Sequence, residues 1–162
     1  MRLFLKNLLF TVLVPGTVAG YLPLLIAGET GSHAPTVVRA LACIPGLIGV
    51  TIYLWCVWDF ATFGRGTPAP VDAPKRLVVR GLYRFVRNPM YVGVLSVILA
   101  WVLYTGSLRL LLYGAAVATL FQLFVVLYEE PALRRAFGED YERYTARVAR
   151  WWPRRGASDV PD

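Results

Sequence analysis

Apolar residues are gathered into four long segments, roughly Leu8 to Ala27, Val37 to Phe63, Met90 to Tyr104 and Leu108 to Tyr128. A helix crossing a bilayer needs about 20 such residues, within a range of about 17 to 25. The first and fourth segments fit that length. The second is long enough to tilt or to extend past the hydrocarbon. The third is short unless its flanks contribute. Pro15 and Pro23 predict a bend in the first helix. Its opening, with Arg2 and Lys6 before an apolar stretch, has the layout of a signal peptide. The apolar run nevertheless continues through "GYLPLLIAG", past the cleavage-like "TVAG", so an uncleaved first span is expected. Only Thr105 to Ser107 join the third and fourth segments, which makes those two antiparallel neighbours.

Two polar stretches interrupt this pattern. Residues 64–89 begin with Gly64, Gly66, Pro68, Pro70 and Pro74, which predicts an extended loop. They continue as a mixed apolar and basic segment, Leu77 to Val86, suited to the membrane surface. Asn88 and Pro89 carry the signature of a helix start, cap followed by first-turn proline. After the fourth segment, Leu133, Phe137, Tyr141, Tyr144, Val148 and Trp151 recur at helical spacing with basic residues opposite. Gly138 is placed to split that helix and Pro153 to end it. The stripe alone fits either an amphipathic helix lying on the bilayer or one packed over the mouths of the spans.

Composition agrees with a membrane protein. Of 162 residues, 57% are hydrophobic and 17% charged, against about a quarter charged in a soluble domain. The expected fold is therefore an all-α membrane protein of one domain. It has about four transmembrane helices, with amphipathic cytoplasmic helices over a pocket: 1–63 two spans, 64–89 a loop, 90–128 a hairpin, 129–155 tail helices. The net charge of +7 points to anionic lipid or an anionic ligand group, with no role for nucleic acid in so apolar a chain. The basic residues cluster before the first span, between the second and third, and after the fourth; only Arg39 and Arg109 fall elsewhere. The positive-inside rule then puts both termini and the middle loop in the cytoplasm, in an inner or plasma membrane if the source is prokaryotic.

The candidate chemistry lies on that one face. Glu129 and Glu130 stand at the end of the fourth span, where carboxylates oppose the helix dipole and border the hydrocarbon. About 100° separates successive helix residues, so the two do not both face one ligand squarely. Arg84, Arg87, Tyr83 and Tyr91 exceed what a helix cap requires. Asp59, beside Trp55 and Trp58, is assigned a structural contact with Arg65 or the loop backbone, and Gln122 an interhelical hydrogen bond. Tyr113 and Tyr128 read as packing or interfacial aromatics. Cys43 and Cys56 sit in one helical segment about 20 Å apart along its axis, too far to bridge, and are expected to be buried and inert. No metal-ligand spacing exists, and His33 lies opposite the basic face. Carboxylates, arginines and aromatic rings together suit a zwitterionic, cationic, partly aromatic ligand. A nucleotide or an anionic lipid would use many of the same groups.

"GLYRFVRNPMYVG", a helical hairpin, and then "EEPALRRAFGEDYERYTARVARWWP" resemble the integral-membrane methyltransferases, the isoprenylcysteine carboxyl methyltransferase and phospholipid N-methyltransferase relatives. The resemblance runs from Gly81 through Trp152. It implies an S-adenosylmethionine-dependent methyltransferase acting on a lipid-like or amphiphilic acceptor, amine or carboxylate, with membrane lipids as surroundings and S-adenosylhomocysteine as product. By matching position it implies a cofactor pocket lined by Val79, Gly81, Leu82, Tyr83, Arg87, Asn88, Pro89, Met90, Tyr91 and Gly93. Tyr141, Tyr144 and Arg147 close it, and Glu129 and Glu130 meet the cofactor's amino group. Glu129, Glu130 and Arg87 are the candidate catalytic residues. Asn88 replaces the histidine usual in the carboxyl methyltransferases, which argues against a prenylcysteine substrate. Sterol reductases, which use a reduced nicotinamide cofactor, share a similar C-terminal bundle but are much longer. A non-enzymatic lipid-binding protein is the third reading.

Overall fold

The computed structural model describes residues 9–30, 34–64 and 77–153, and all statements below concern these. Helix α1 spans Leu9–Gly28, α2 Thr36–Phe63, α3 Pro89–Thr105 and α4 Leu108–Phe124. A π-helical turn, Val125–Glu129, carries α4 without a break into α5, Glu130–Phe137; α6 is Glu139–Arg147. No strand occurs among the described residues. Three helices, α1, α2 and the continuous Leu108–Phe137 rod, are long and apolar enough to cross a membrane, and α3 is a shorter apolar helix. Large apolar side chains such as Leu47, Leu112 and Leu127 face outward along them, as a lipid solvent permits. Cys43 belongs to this outer surface, a correction to its expected burial, whereas Cys56 is fully buried.

The distortion expected of α1 falls between its two prolines, as a π-helical turn at Thr17–Tyr21. That turn sends the Leu22 amide back to the Thr17 carbonyl, bypassing Val18, and Pro23 has no amide to offer. Carbonyls left over inside a membrane need donors from elsewhere. Tyr113 supplies one from α4, its hydroxyl donating to the Val18 carbonyl at 2.6 Å, and Trp101 supplies another from α3, its indole donating to the Ala19 carbonyl at 3.0 Å. The irregular helix is thereby tied to both arms of the hairpin.

The closest helix contact is α2 against α3. A Cβ built on Gly49 would lie 2.5 Å from the Gly93 carbonyl oxygen, and one on Gly93 2.8 Å from that of Gly49. Two glycines facing one another let the backbones approach, the small-residue packing that membranes favour. Tyr53, Cys56, Met90, Val94 and Ile98 fill the core on either side. Gly106, in the left-handed conformation, ends α3 and turns the chain into α4.

At the other end of α3 the mixed segment Leu77 to Val86 packs into the protein. Val78 and Tyr83 are buried, Tyr83 in a short 3-10 turn, Gly81–Arg84. The tail's apolar stripe packs on this segment: Tyr141, Tyr144 and Val148 form a second small core with Leu77, Val79, Leu133 and Phe137. The middle of the stripe is therefore buried against the chain itself. Gly138 splits the tail helix as expected, at φ 51°. The helix ends at Arg147, not at Pro153: Val148 is already extended. Ala149 bridges to Val86, its carbonyl accepting the Arg87 amide at 2.9 Å.

Candidate active site

Three chain elements converge at the start of α3. Asn88 holds the N-cap position and Pro89 the first turn, as the sequence predicts, but the Asn88 side chain makes no capping bond. Its amide donates instead to the Arg150 carbonyl at 3.2 Å. One turn into α3, the Tyr91 hydroxyl donates to Glu129 Oε2 at 2.8 Å. The Tyr91 ring leans on Phe121, centroids 4.6 Å apart, and faces Trp151 at 6.4 Å.

Glu130 is the centre of an ion-pair cluster. Arg150 grips it through one edge of its guanidinium, Nε donating to Oε1 at 2.7 Å and Nη2 to Oε2 at 2.9 Å. Arg87 adds a bond from Nη1 to Oε1 at 3.0 Å. Both Arg87 and Glu130 are largely buried there, where such charge-assisted pairs are strong and their geometry specific. Glu130 in turn holds the Arg150 guanidinium even more firmly protonated than usual. Arg87 also bonds the Tyr141 side chain, whose phenol is pushed up by burial and then by the Glu130 charge. Its Nε is buried with no acceptor among the described residues.

A second layer holds this cluster. The Tyr144 hydroxyl donates to the Tyr83 carbonyl at 2.7 Å. The Tyr83 phenol, hydrogen-bonded with Cys56, is raised well above its ordinary range, chiefly by burial; Tyr144 is raised by burial too. Behind them Gly81, at φ 56°, abuts Asp59, whose Oδ2 is buried and has no hydrogen-bond partner among the described residues. Any Cβ at position 81 would collide with that oxygen. The contact of Asp59 with Arg65 lies outside the described residues.

Of the residues expected to form the pocket, Arg87, Asn88, Tyr91, Glu129, Glu130 and Tyr141 come together by direct bonds or a shared neighbour. Tyr83, Tyr144 and Pro89 back them. Val79, Leu82 and Met90 serve packing, Gly93 faces Gly49, and Gly81 faces Asp59. Arg147 is exposed at the end of α6 and joins nothing at the cluster. Arg150 supplies the arginine there, and sequence reasoning missed it because helical phase was carried past Arg147. Gln122 finds its partner on the tail rather than on another span: the Trp151 indole donates to Gln122 Oε1 at 2.7 Å. This bond borders a cavity of about 370 Å³ between α3 and α4, lined by Val92, Leu95, Ser96, Leu99, Gln122 and Trp151.

Carboxylates, arginines and tyrosines thus gather at one end of the apolar helices. Residues 37–140 match the phospholipid methyltransferase family model, and the chain belongs to that family. It is thus a membrane methyltransferase by membership. An uncharacterized protein of Haemophilus influenzae is 34% identical over 62 residues, which are 38% of this chain and 98% of that relative. No solved structure matches the chain.

Proposed function

We propose that this chain is an S-adenosylmethionine-dependent methyltransferase acting on a lipid-like or amphiphilic acceptor, an amine or a carboxylate, at the cytoplasmic face of the membrane. The observation that carries this reading is the paired cluster of Tyr91 with Glu129 and of Arg87 with Glu130 and Arg150. It fits the methyl donor in two respects. The buried Arg87 Nε lacks an acceptor, and a ligand carboxylate would satisfy it. Glu129 has a single described hydrogen bond, which leaves capacity for an ammonium group. Tyr91 and Trp151, both only partly buried, offer ring faces to a flat base or a cation.

When bound, S-adenosylmethionine supplies an electrophilic methyl group on a sulfonium. The protein's part is to align that methyl with the acceptor and to exclude water. The tail segment closing over the start of α3 suits the second task. The cavity between α3 and α4 is bordered by Trp151, whose ring lies 6.4 Å from that of Tyr91, and is lined mostly by apolar side chains, which supports an acceptor with a hydrocarbon portion. A carboxylate acceptor attacks as it stands, whereas an amine must first lose a proton.

The 17 residues of α3 rise about 25 Å, which with its flanks supports a fourth span. The asymmetry of Lys and Arg then supports cytoplasmic termini and a cytoplasmic site. Calorimetry of the purified protein with S-adenosylhomocysteine, then with a nicotinamide dinucleotide, tests the reading. Micromolar binding of the first alone is expected. Binding of the dinucleotide alone would replace it with a reductase, and binding of neither with a non-enzymatic role. Labelled methyl donor offered with membrane lipid extracts then identifies the acceptor.

A further inference from the structure

The two adjacent glutamates are not equivalent. Both oxygens of Glu130 are engaged by guanidinium groups, Oε1 by Arg150 and Arg87 and Oε2 by Arg150. Glu129 accepts only the Tyr91 hydroxyl among the described residues. The difference begins in the backbone. Glu129 closes the π-helical turn and Glu130 opens α5, so they point to different neighbours. Such turns occur often at functional sites.

We infer that Glu129 alone meets the cationic amino group of the methyl donor, and that Glu130 is a positioning residue, the internal counter-ion that seats the tail. For Glu130 to hold a ligand ammonium it would have to release Arg150 or Arg87 and leave a guanidinium poorly matched in a buried setting. Glu129 needs to release nothing: a phenol donates one proton, and the carboxylate keeps further lone pairs. The consequence of the Glu130 pair is structural. It fixes Arg150, whose carbonyl receives the Asn88 side chain, and the neighbouring Ala149 carbonyl receives the Arg87 amide. One carboxylate thus ties the extended tail to the start of α3, on the side where Tyr91 reaches Glu129.

The inference rests on the methyl-donor reading, and the test separates the two. Binding of S-adenosylhomocysteine is compared with binding of its analogue lacking the α-amino group, in wild type, Glu129→Gln and Glu130→Gln. Wild type is expected to prefer the amino-bearing ligand by about tenfold to a hundredfold, the range of a charged hydrogen bond. Glu129→Gln should lose that preference, binding both ligands alike. Glu130→Gln should bind both more weakly with the preference intact, because a loosened tail does not discriminate between them. If Glu130→Gln does not fold, Arg150→Gln serves instead, since it leaves Glu130 to Arg87. Loss of the preference in Glu130→Gln or Arg150→Gln, or its survival in Glu129→Gln, overturns the inference while leaving the methyl-donor reading intact. Absence of binding by wild type removes both.

Discussion

The seam between α2 and α3 and the polar cap at the start of α3 are held by opposite means. At the seam two glycines meet with no side chain between them, and the contact is one of shape. At the cap, Arg87, Glu130 and Arg150 meet through charge, and shape follows from the forked geometry of the guanidinium. In lipid no hydrophobic gain drives helices together, so close packing must supply the contact. At the cap the chain leaves the hydrocarbon, and ionic partners become able to hold irregular backbone in place. The seam therefore tolerates no added atom, whereas the cap tolerates no missing charge.

The largest effect is expected at the seam. Gly93→Leu puts a branched side chain where a bare Cβ already meets the Gly49 carbonyl and the Tyr53 amide nitrogen, at 2.8 and 3.1 Å. Both obstacles are backbone, so α2 and α3 must part. A loss of about 3 kcal/mol, the upper range for overpacking, should appear as poor recovery of monodisperse protein in detergent and a lower unfolding midpoint. Gly20→Ala is the contrast, since a Cβ there meets nothing within 4 Å; its midpoint should stay near that of wild type. Equal behaviour of the two variants would dissolve the distinction between a seam and an ordinary helix face.

Next comes the cap. Glu130→Ala leaves two guanidinium groups facing one another with no carboxylate between them. Removing one partner of a buried pair costs about 3–5 kcal/mol; Arg150 is about a third exposed, so about 2 kcal/mol is expected here. Arg150→Ala should cost less, because Glu130 keeps Arg87 at 3.0 Å. Unfolding midpoints in the order wild type, Arg150→Ala, Glu130→Ala express that inequality. The reverse order would mean that the tail, not the carboxylate, organises the cap.

How much of this could be read beforehand follows the same division. The long apolar helices were legible because lipid demands long apolar runs, and Asn88–Pro89 was legible because a helix start uses so few residue types. The glycine seam was not, since nothing in the spacing of Gly49 and Gly93 says that they face one another. The π-helical turn at Val125–Glu129 left no mark either: "VVLYE" is as good an α-helix as its neighbours. Arg150 was hidden by a true signal carried too far. Val148 and Trp151 keep helical spacing with Tyr141 and Tyr144, but the chain is extended from Val148, which turns Arg150 inward and leaves Arg147 exposed.

Smaller still is the effect expected at the rim of the cap. Trp151→Phe keeps a ring beside Tyr91 but removes the indole donor to Gln122 at 2.7 Å. One neutral hydrogen bond is worth about 1 kcal/mol net, and Gln122, facing apolar Leu95 and Leu99 across the cavity, has no described substitute. Gln122→Leu removes the acceptor instead, and the double variant should cost little more than either alone, since both delete one bond. The surface pair of Arg143 and Asp140 sets the floor. It is no longer than the 2.7 Å contact of Arg150 with Glu130, yet both side chains are about two-thirds exposed. Water and salt screen such a pair, so Arg143→Ala should lower stability by no more than about 0.5 kcal/mol. A cost there approaching that of Arg150→Ala would show that contact length, rather than burial, governs the cap, and the contrast with the seam would have to be drawn in other terms.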